Sequence, residues 1–258
     1  MKLLFVGDVV GAVGRKMVFD NVPKIRKEEN IDLVICNAEN AAHGKGITRK
    51  IYNQLINSQV DMITMGNHTF SKKNLEEIID EMDKMVRPAN MFPLEYGKGY
   101  RIFEFNGKKI ALVNLIGEVF MVNVSESPFK KMEDILSEIE ADIVLVDLHA
   151  EATSEKIAFT YEFAKRCTVV VGTHTHVQTA DERIVDDHCA AISDLGMCGP
   201  YHSVIGRDID EILRRFKYQE QTRFTMAEGK GIFCGCIVEI DDETNQAISI
   251  KRIQIKEQ

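Results

Sequence analysis

Residues 168–176 read TVVVGTHTH, a short β-branched run that ends on two imidazoles, His174 and His176. The run has the length and residue types of a buried strand, which puts both histidines in the loop that leaves it. The same arrangement recurs at four other places along the chain. LLFVG (3–7) precedes Asp8, DLVICN (32–37) precedes Glu39 and Asn40, DMITM (61–65) precedes Asn67 and DIVLVDL (142–148) precedes His149. In an open α/β sheet the loops at the carboxyl ends of strands converge on one rim, and ligands bind there. Oxygen and nitrogen donors spread from residue 8 to residue 176 are therefore expected to meet in space.

Between these runs lie helical patterns, so the chain reads as βαβ units with a largely parallel sheet. A helix is expected from about Arg15 to Glu29, kinked at Pro23. Thr48 and Ser71 have the chemistry of N-caps for helices over about 49–57 and 72–82. Asn106-Gly107 between two strand-like runs marks a hairpin over 100–116. Helices are expected near 128–140, 154–166 and 208–219, a hairpin over 183–194 and a final strand pair at 231–240 and 247–255. Residues 195–207, rich in Gly and Pro, read as a long loop. In the last strand Ile248 and Ile250 differ in parity from Ile253 and Ile255, which suggests a bulge near Lys251. No repeat, linker or low-complexity tract divides the chain, so a single domain spanning 1–258 is expected.

The chain of 258 residues is 45% hydrophobic and 28% charged, ordinary for a globular protein, and carries a net charge of −8. An acidic balance argues against an extended nucleic-acid surface but allows a small anionic substrate, since bound metal ions dominate the field around them. The six cysteines form no CxxC pair, and Cys36, Cys234 and Cys236 lie in apolar runs as small hydrophobes. A disulfide framework is not expected. The opening MKLLFVGDVVG is too short an apolar run for a signal peptide. No stretch approaches the roughly 20 apolar residues needed to span a bilayer. A cytoplasmic protein without membrane contact is expected.

Taken singly, each candidate has a duller reading. Asp8 at a strand end is more often a helix cap, Glu39 a solvated loop residue, Asn67 a turn residue, and His149 a satisfied core histidine. Together at five strand ends they fit a two-metal hydrolase site. Two ions about 3.5–4 Å apart lower the pKa of a bridging water and clamp the displaced oxygens. Glu39 is the natural bridging carboxylate and Asp8 a flanking one, with imidazoles from His149, His174 and His176. His43 and His202 lack such support and read as pocket-lining or surface residues. No G-x-G-x-x-G follows the first strand, which leaves a dinucleotide cofactor unsupported.

Gly66-Asn67-His68-Thr69, the lone His149 and His174-Thr175-His176 resemble elements of the calcineurin-like metallophosphoesterase superfamily. Two elements depart from its usual pattern: Asp8-Val9-Val10 lacks the histidine of D-x-H, and Asn37-Ala38-Glu39-Asn40 has Glu where an Asp usually bridges. With FVGDVVG, NAENAAHGKG and SDLGMCGP, that combination is similar to the YmdB-like branch over essentially the whole chain. The resemblance implies an α/β fold, a four-layer α/β/β/α sandwich of the metallophosphoesterase type. It implies two metal ions, iron in the family, where Mn or Zn would also suit the donors. One would be held by Asp8, Glu39, Asn40 and His176, and the other by Glu39, Asn67, His149 and His174, with Asn40 in place of the missing histidine. His68 would be the proton donor to the leaving oxygen after attack by a metal-bridging hydroxide. It further implies a phosphodiesterase acting on cyclic nucleotides, chiefly 2′,3′-cyclic ones. The implied partner is that small-molecule nucleotide, and a homo-oligomer is left open. Two rivals stand beside this reading: a phosphomonoesterase or phosphoprotein phosphatase, and a metal-bound regulatory protein with incidental turnover. Arg15, Arg49, Arg87 and Arg183 are the arginines nearest the site segments, and none adjoins a ligand. A cyclic diester carries a single charge and is expected to need no arginine clamp.

Overall fold

Two mixed sheets packed face to face replace the expected largely parallel sheet in this computed structural model, which describes residues 1–257. Gln258, the last residue of the expected domain, lies outside the described residues. In the first sheet β1 (Lys2–Val6), β3 (Leu33–Asn37) and β4 (Met62–Thr64) run parallel, and β12 (Gly231–Ile240) pairs antiparallel with β1. β12 also pairs with β13 (Ala247–Lys256) and with β11 (Met197–Pro200), which in turn pairs with the two-residue β2 (Asp8–Val9). The second sheet orders β5 (Tyr100–Phe105), β6 (Lys108–Ile116), β7 (Ile143–His149), β8 (Val169–Thr173), β10 (Cys189–Ile192) and β9 (Arg183–Val185). Its inner strands β6, β7, β8 and β10 are parallel, and the outer strands β5 and β9 are antiparallel to them.

Side chains alternate across a strand, and here both faces of the central strands are apolar. In β1, Leu3 and Phe5 join Leu112, Leu145 and Val171 of the second sheet in the core between the sheets. Leu4 and Val6 face the other way and pack with Val18, Val22 and Leu55. Those belong to α1 (Gly11–Glu29) and α2 (Arg49–Asn57), which cover the first sheet. On the far side of the second sheet, Val144 and Val146 meet Met132, Ile135, Phe159 and Phe163 from α4 (Pro128–Glu138) and α5 (Thr153–Phe163). The layers are therefore α/β/β/α, as the resemblance implied. Full burial of one aromatic or aliphatic side chain is worth about 1.5–3 kcal/mol, so three such cores stabilise the stack.

Local expectations fared unevenly. Thr48 caps α2, its side chain accepting from the Ile51 amide. α1 begins at Gly11 and runs unbroken through Pro23. The hairpins over 100–116 and 183–194 form as expected. Ser71 is not a cap: it ends a short 3₁₀ turn, Thr69–Ser71, and the next helix, α3 (Leu75–Ile78), starts after Asn74 in the left-handed region at φ 67°. α3 passes directly into a further 3₁₀ turn, Ile79–Glu81, so the expected helix forms as a short helical segment that starts three residues late. The expected loop 195–207 contains β11, whose Gly and Pro residues conceal its pairing with both β2 and β12. No bulge sits at Lys251, which pairs in register with Ile237; the irregularity lies at Glu239/Ile240. Ile250 packs into the core between the sheets and Ile253 and Ile255 into the core under α1, so the change of parity serves two faces of one strand.

Candidate metal centre

All five donor-bearing loops leave the carboxyl ends of parallel strands, and the two sheets present those ends side by side. Asp8 follows β1, Glu39 and Asn40 follow β3, and Asn67 and His68 follow β4; His149 ends β7, and His174 and His176 follow β8. The structure brings together every residue expected there. Glu39, His149 and His174 hold ligand atoms within 4.8 Å of one another. His149 Nε2 lies 2.9 Å from Asn67 Oδ1, 3.0 Å from His174 Nδ1 and 3.4 Å from Glu39 Oε1. A second group adjoins the first through Glu39. Asn40 Nδ2 is 2.8 Å from Glu39 Oε1 and 3.1 Å from His176 Nε2, which is 3.8 Å from Asp8 Oδ1. His68 reaches the cluster from the backbone, its amide donating to Glu39 Oε2 at 2.9 Å while its half-buried ring borders the cavity.

The surrounding hydrogen bonds aim lone pairs inward. The Thr173 hydroxyl donates to Asp147 Oδ1 at 2.7 Å, so its oxygen accepts from His149 Nδ1–H at 2.9 Å and Nε2 turns to the cluster. His174 Nε2 meets Glu151 Oε2 at 3.1 Å, and His176 Nδ1 donates to the Ile205 carbonyl at 2.9 Å. The remaining nitrogens turn into the cluster, Nδ1 of His174 toward His149 Nε2 and Nε2 of His176 toward Asn40 and Asp8. Asp8 Oδ2 accepts from the His174 amide, but Asp8 Oδ1 is buried with no hydrogen-bond partner. Buried polar atoms are seldom left this way, and lone pairs converging with so few donors between them need positive charge. The donor set, mixed carboxylate, amide and imidazole, fits metal ions.

The titration shifts point the same way. Burial alone would lower the His149 pKa, but the Glu39 carboxylate beside it pushes it up to about 9. Burial works to raise Glu39, yet His149 holds it well below the usual carboxylate range. Burial and neighbouring His149 push His174 down to about 3. Asp8 is raised to about 6 by burial, against the pull of His176 and His149. One positive charge among these groups stabilises the rest, and a metal ion could take the place of that proton. Burial also lowers the His68 pKa.

Several contributors were not legible beforehand. Asp147, buried beneath His149, accepts from Asn37 Nδ2, Thr64 Oγ1 and Thr173 Oγ1 at 3.0, 2.5 and 2.7 Å. A polar residue interrupting the apolar run of β7 was the visible signal. Asp194 pairs with Lys156 at 2.8 Å in the interior and accepts from the Thr175 amide, fixing the loop that carries both histidines. Gly66 is sterically required, since a Cβ there would stand 2.4 Å from the His149 ring and 2.5 Å from Glu39 Oε2. The cavity beside the cluster, of about 250 Å³, is lined by Arg207 and by none of the four arginines singled out by sequence proximity. Arg15 instead binds the Ala41 carbonyl, steadying the Glu39 loop. His43 and His202 are exposed, and neither lines the cavity.

Fold and site together define a metallophosphoesterase type of protein. The same fold occurs in a Staphylococcus aureus structure described as a 5′-nucleotidase (TM-score 0.65, 15% identity, covering 100% of this chain and 55% of that one). The chain belongs to the YmdB-like protein family, whose pattern matches residues 4–253, and it is a phosphoesterase. A Bacillus subtilis relative, 46% identical over 100% of this chain and 98% of its own length, is named 2′,3′-cyclic-nucleotide 2′-phosphodiesterase. The crystal structure of a phosphatase from Mycoplasma pneumoniae superposes with a TM-score of 0.95 at 38% identity, covering 99% of this chain and 93% of that one. Among the described residues no helix is long and apolar enough to cross a membrane.

Proposed function

We propose that the protein is a dinuclear metallophosphodiesterase of 2′,3′-cyclic nucleotides, acting in the cytoplasm. The observation that carries this reading is the pair of adjoining donor groups sharing Glu39. Asp8, Asn40 and His176 with Glu39 would hold one ion, and Asn67, His149 and His174 with Glu39 the other. Asn40 offers its nitrogen toward His176 here, so ligation asks its amide to turn about χ2 and present the oxygen. Two ions held there, iron in the preferred reading with Mn or Zn suiting the same donors, would supply an activated water and cover for the phosphoryl charge. His68 is the proton donor. Its backbone is tied to Glu39, and its ring borders the cavity where a leaving ribose oxygen would lie. The name of the Bacillus relative supports the 2′,3′-cyclic substrate.

Steady-state kcat/KM with Mn²⁺ or Fe²⁺ supplied tests the reading on 2′,3′-cAMP, 3′,5′-cAMP and 5′-AMP. Preference for 2′,3′-cAMP is expected; faster turnover of 5′-AMP than of either cyclic nucleotide would overturn it in favour of a monoesterase. In the same assay His68→Ala should lose about 10²–10⁴-fold while keeping its metals. The loss should shrink on p-nitrophenyl esters, whose leaving group needs little protonation.

A further inference from the structure

The cavity has two unlike halves. One is the polar cluster with His68; the other is a wall of Ile205, Phe224 and Met226, with Arg207 laid against it. We infer that this wall seats the nucleobase of the substrate while the cluster holds its phosphate. The inference rests on the nucleotide reading above and goes beyond it by naming the residues that recognise the nucleoside.

The wall is built and held in place. After β11 the chain passes Arg207, forms α6 (Ile209–Tyr218) and returns through Phe224 and Met226. Glu211, buried at 2% exposure, binds the Arg207 guanidinium and accepts from Thr222 Oγ1 at 2.8 Å and the Thr225 amide at 2.9 Å. One carboxylate thus clamps both ends of the excursion. The Arg207 Cζ lies 4.4 Å from the centroid of the Phe224 ring. The wall is also joined to the cluster: His176 Nδ1 donates to the carbonyl of Ile205. A Cβ at Gly44 would stand 2.4 Å from Met226 Sδ and 2.8 Å from Phe224 Cε1, so the wall packs on the loop that carries Glu39 and Asn40.

A phosphate group alone has no use for such a surface. Ile205 is 48% and Phe224 39% exposed, and burying them under a ligand is favourable only if the ligand is itself apolar and flat enough to cover them. A nucleobase meets that condition, because aromatic rings and guanidinium planes both stack on its faces. At about 250 Å³ the cavity falls below the usual 300–1,000 Å³ of ligand pockets, which leaves room for one small ligand and not for a chain of nucleotides. The side chains of the wall offer no strong acceptor, and the donors beside it are those of Arg207 and of Lys45, whose ammonium lies 5.2 Å from the Phe224 ring centroid, so the base is held mainly by its faces and little read by its edges. Tolerance of adenine, guanine, uracil and cytosine follows.

Calorimetric titration of the metal-loaded protein with adenosine 3′-monophosphate and with inorganic phosphate tests this, on the unmodified chain and on Phe224→Ala, Phe224→Leu and Phe224→Tyr. Stacking on an aromatic side chain contributes about 1–3 kcal/mol per base. Phe224→Ala should therefore weaken the nucleotide about 5- to 150-fold and leave phosphate within about twofold. Phe224→Tyr should keep the affinity, with Phe224→Leu in between, and the KM for 2′,3′-cAMP should rise in parallel. Equal weakening of nucleotide and phosphate, or no change in either, overturns the assignment. A preference for 5′-AMP in turnover combined with Phe224-dependent nucleotide binding would sink the diesterase reading and leave the wall standing.

Discussion

Asp147 touches no candidate ligand directly, yet three donors converge on it and one of them, Thr173, sets the tautomer of His149. Burial raises its pKa, against the pull of these same hydrogen bonds. In Asp147→Asn an amide NH₂ would face donors, so Thr173 would lose the acceptor that turns its oxygen toward His149. Partners of this kind typically matter 10–100-fold in metal affinity, and a loss on about that scale is expected by metal titration. A variant that melts earlier but binds metal with undiminished affinity would show Asp147 to be purely structural. The contrast with Glu39 is instructive. Glu39 was legible because it follows a strand and lies among other donors; Asp147 was seen only as part of an apolar run, and its meaning depends on Asn37 and Thr64 arriving from other strands.

At the level of single elements, the readings that held depend on neighbours in sequence. Thr48 accepts from an amide three residues on, a bond that needs nothing outside α2. Thr48→Ala should cost about 1 kcal/mol and lower Tm by about 2–4 °C, measured by calorimetry, with metal content unchanged. A drop well beyond that would mean Thr48 does more than cap. Where the readings of strands failed, long-range pairing was the cause. β11 is four residues with Gly and Pro among them, and it is a strand only because β2 and β12 flank it. The register of β13 runs uninterrupted past Lys251, and the change of parity of its isoleucines makes sense only once both faces of that strand are seen to be covered.

For the whole molecule, the cluster ties the two sheets together: Asp8, Glu39 and Asn67 come from the first, and His149, His174 and His176 from the second. Binding of ions to the folded state alone stabilises it by mass action, about 2.7 kcal/mol for one site at a hundred times its Kd. Chelation should therefore lower Tm by about 5–10 °C, and added Mn²⁺ should restore it, as read by scanning calorimetry. An unchanged Tm would mean that the cluster does not bind metal in the folded protein.

The alternation of strands and helices and the donors at the strand ends were readable from residue order, because periodicity and strand-end position are local properties and parallel strands deliver their ends to one rim; the four layers were implied only by the family resemblance. Asp8, Glu39, Asn67, His149, His174 and His176 needed no coordinates to be chosen. Asp147, Asp194, Gly66 and the Arg207–Phe224 wall did. Each acts through contacts with chain far away in sequence: Asp147 with Asn37 across 110 residues and Phe224 against Gly44 across 180. Such contacts leave no periodic trace in the chain, and packing alone creates them.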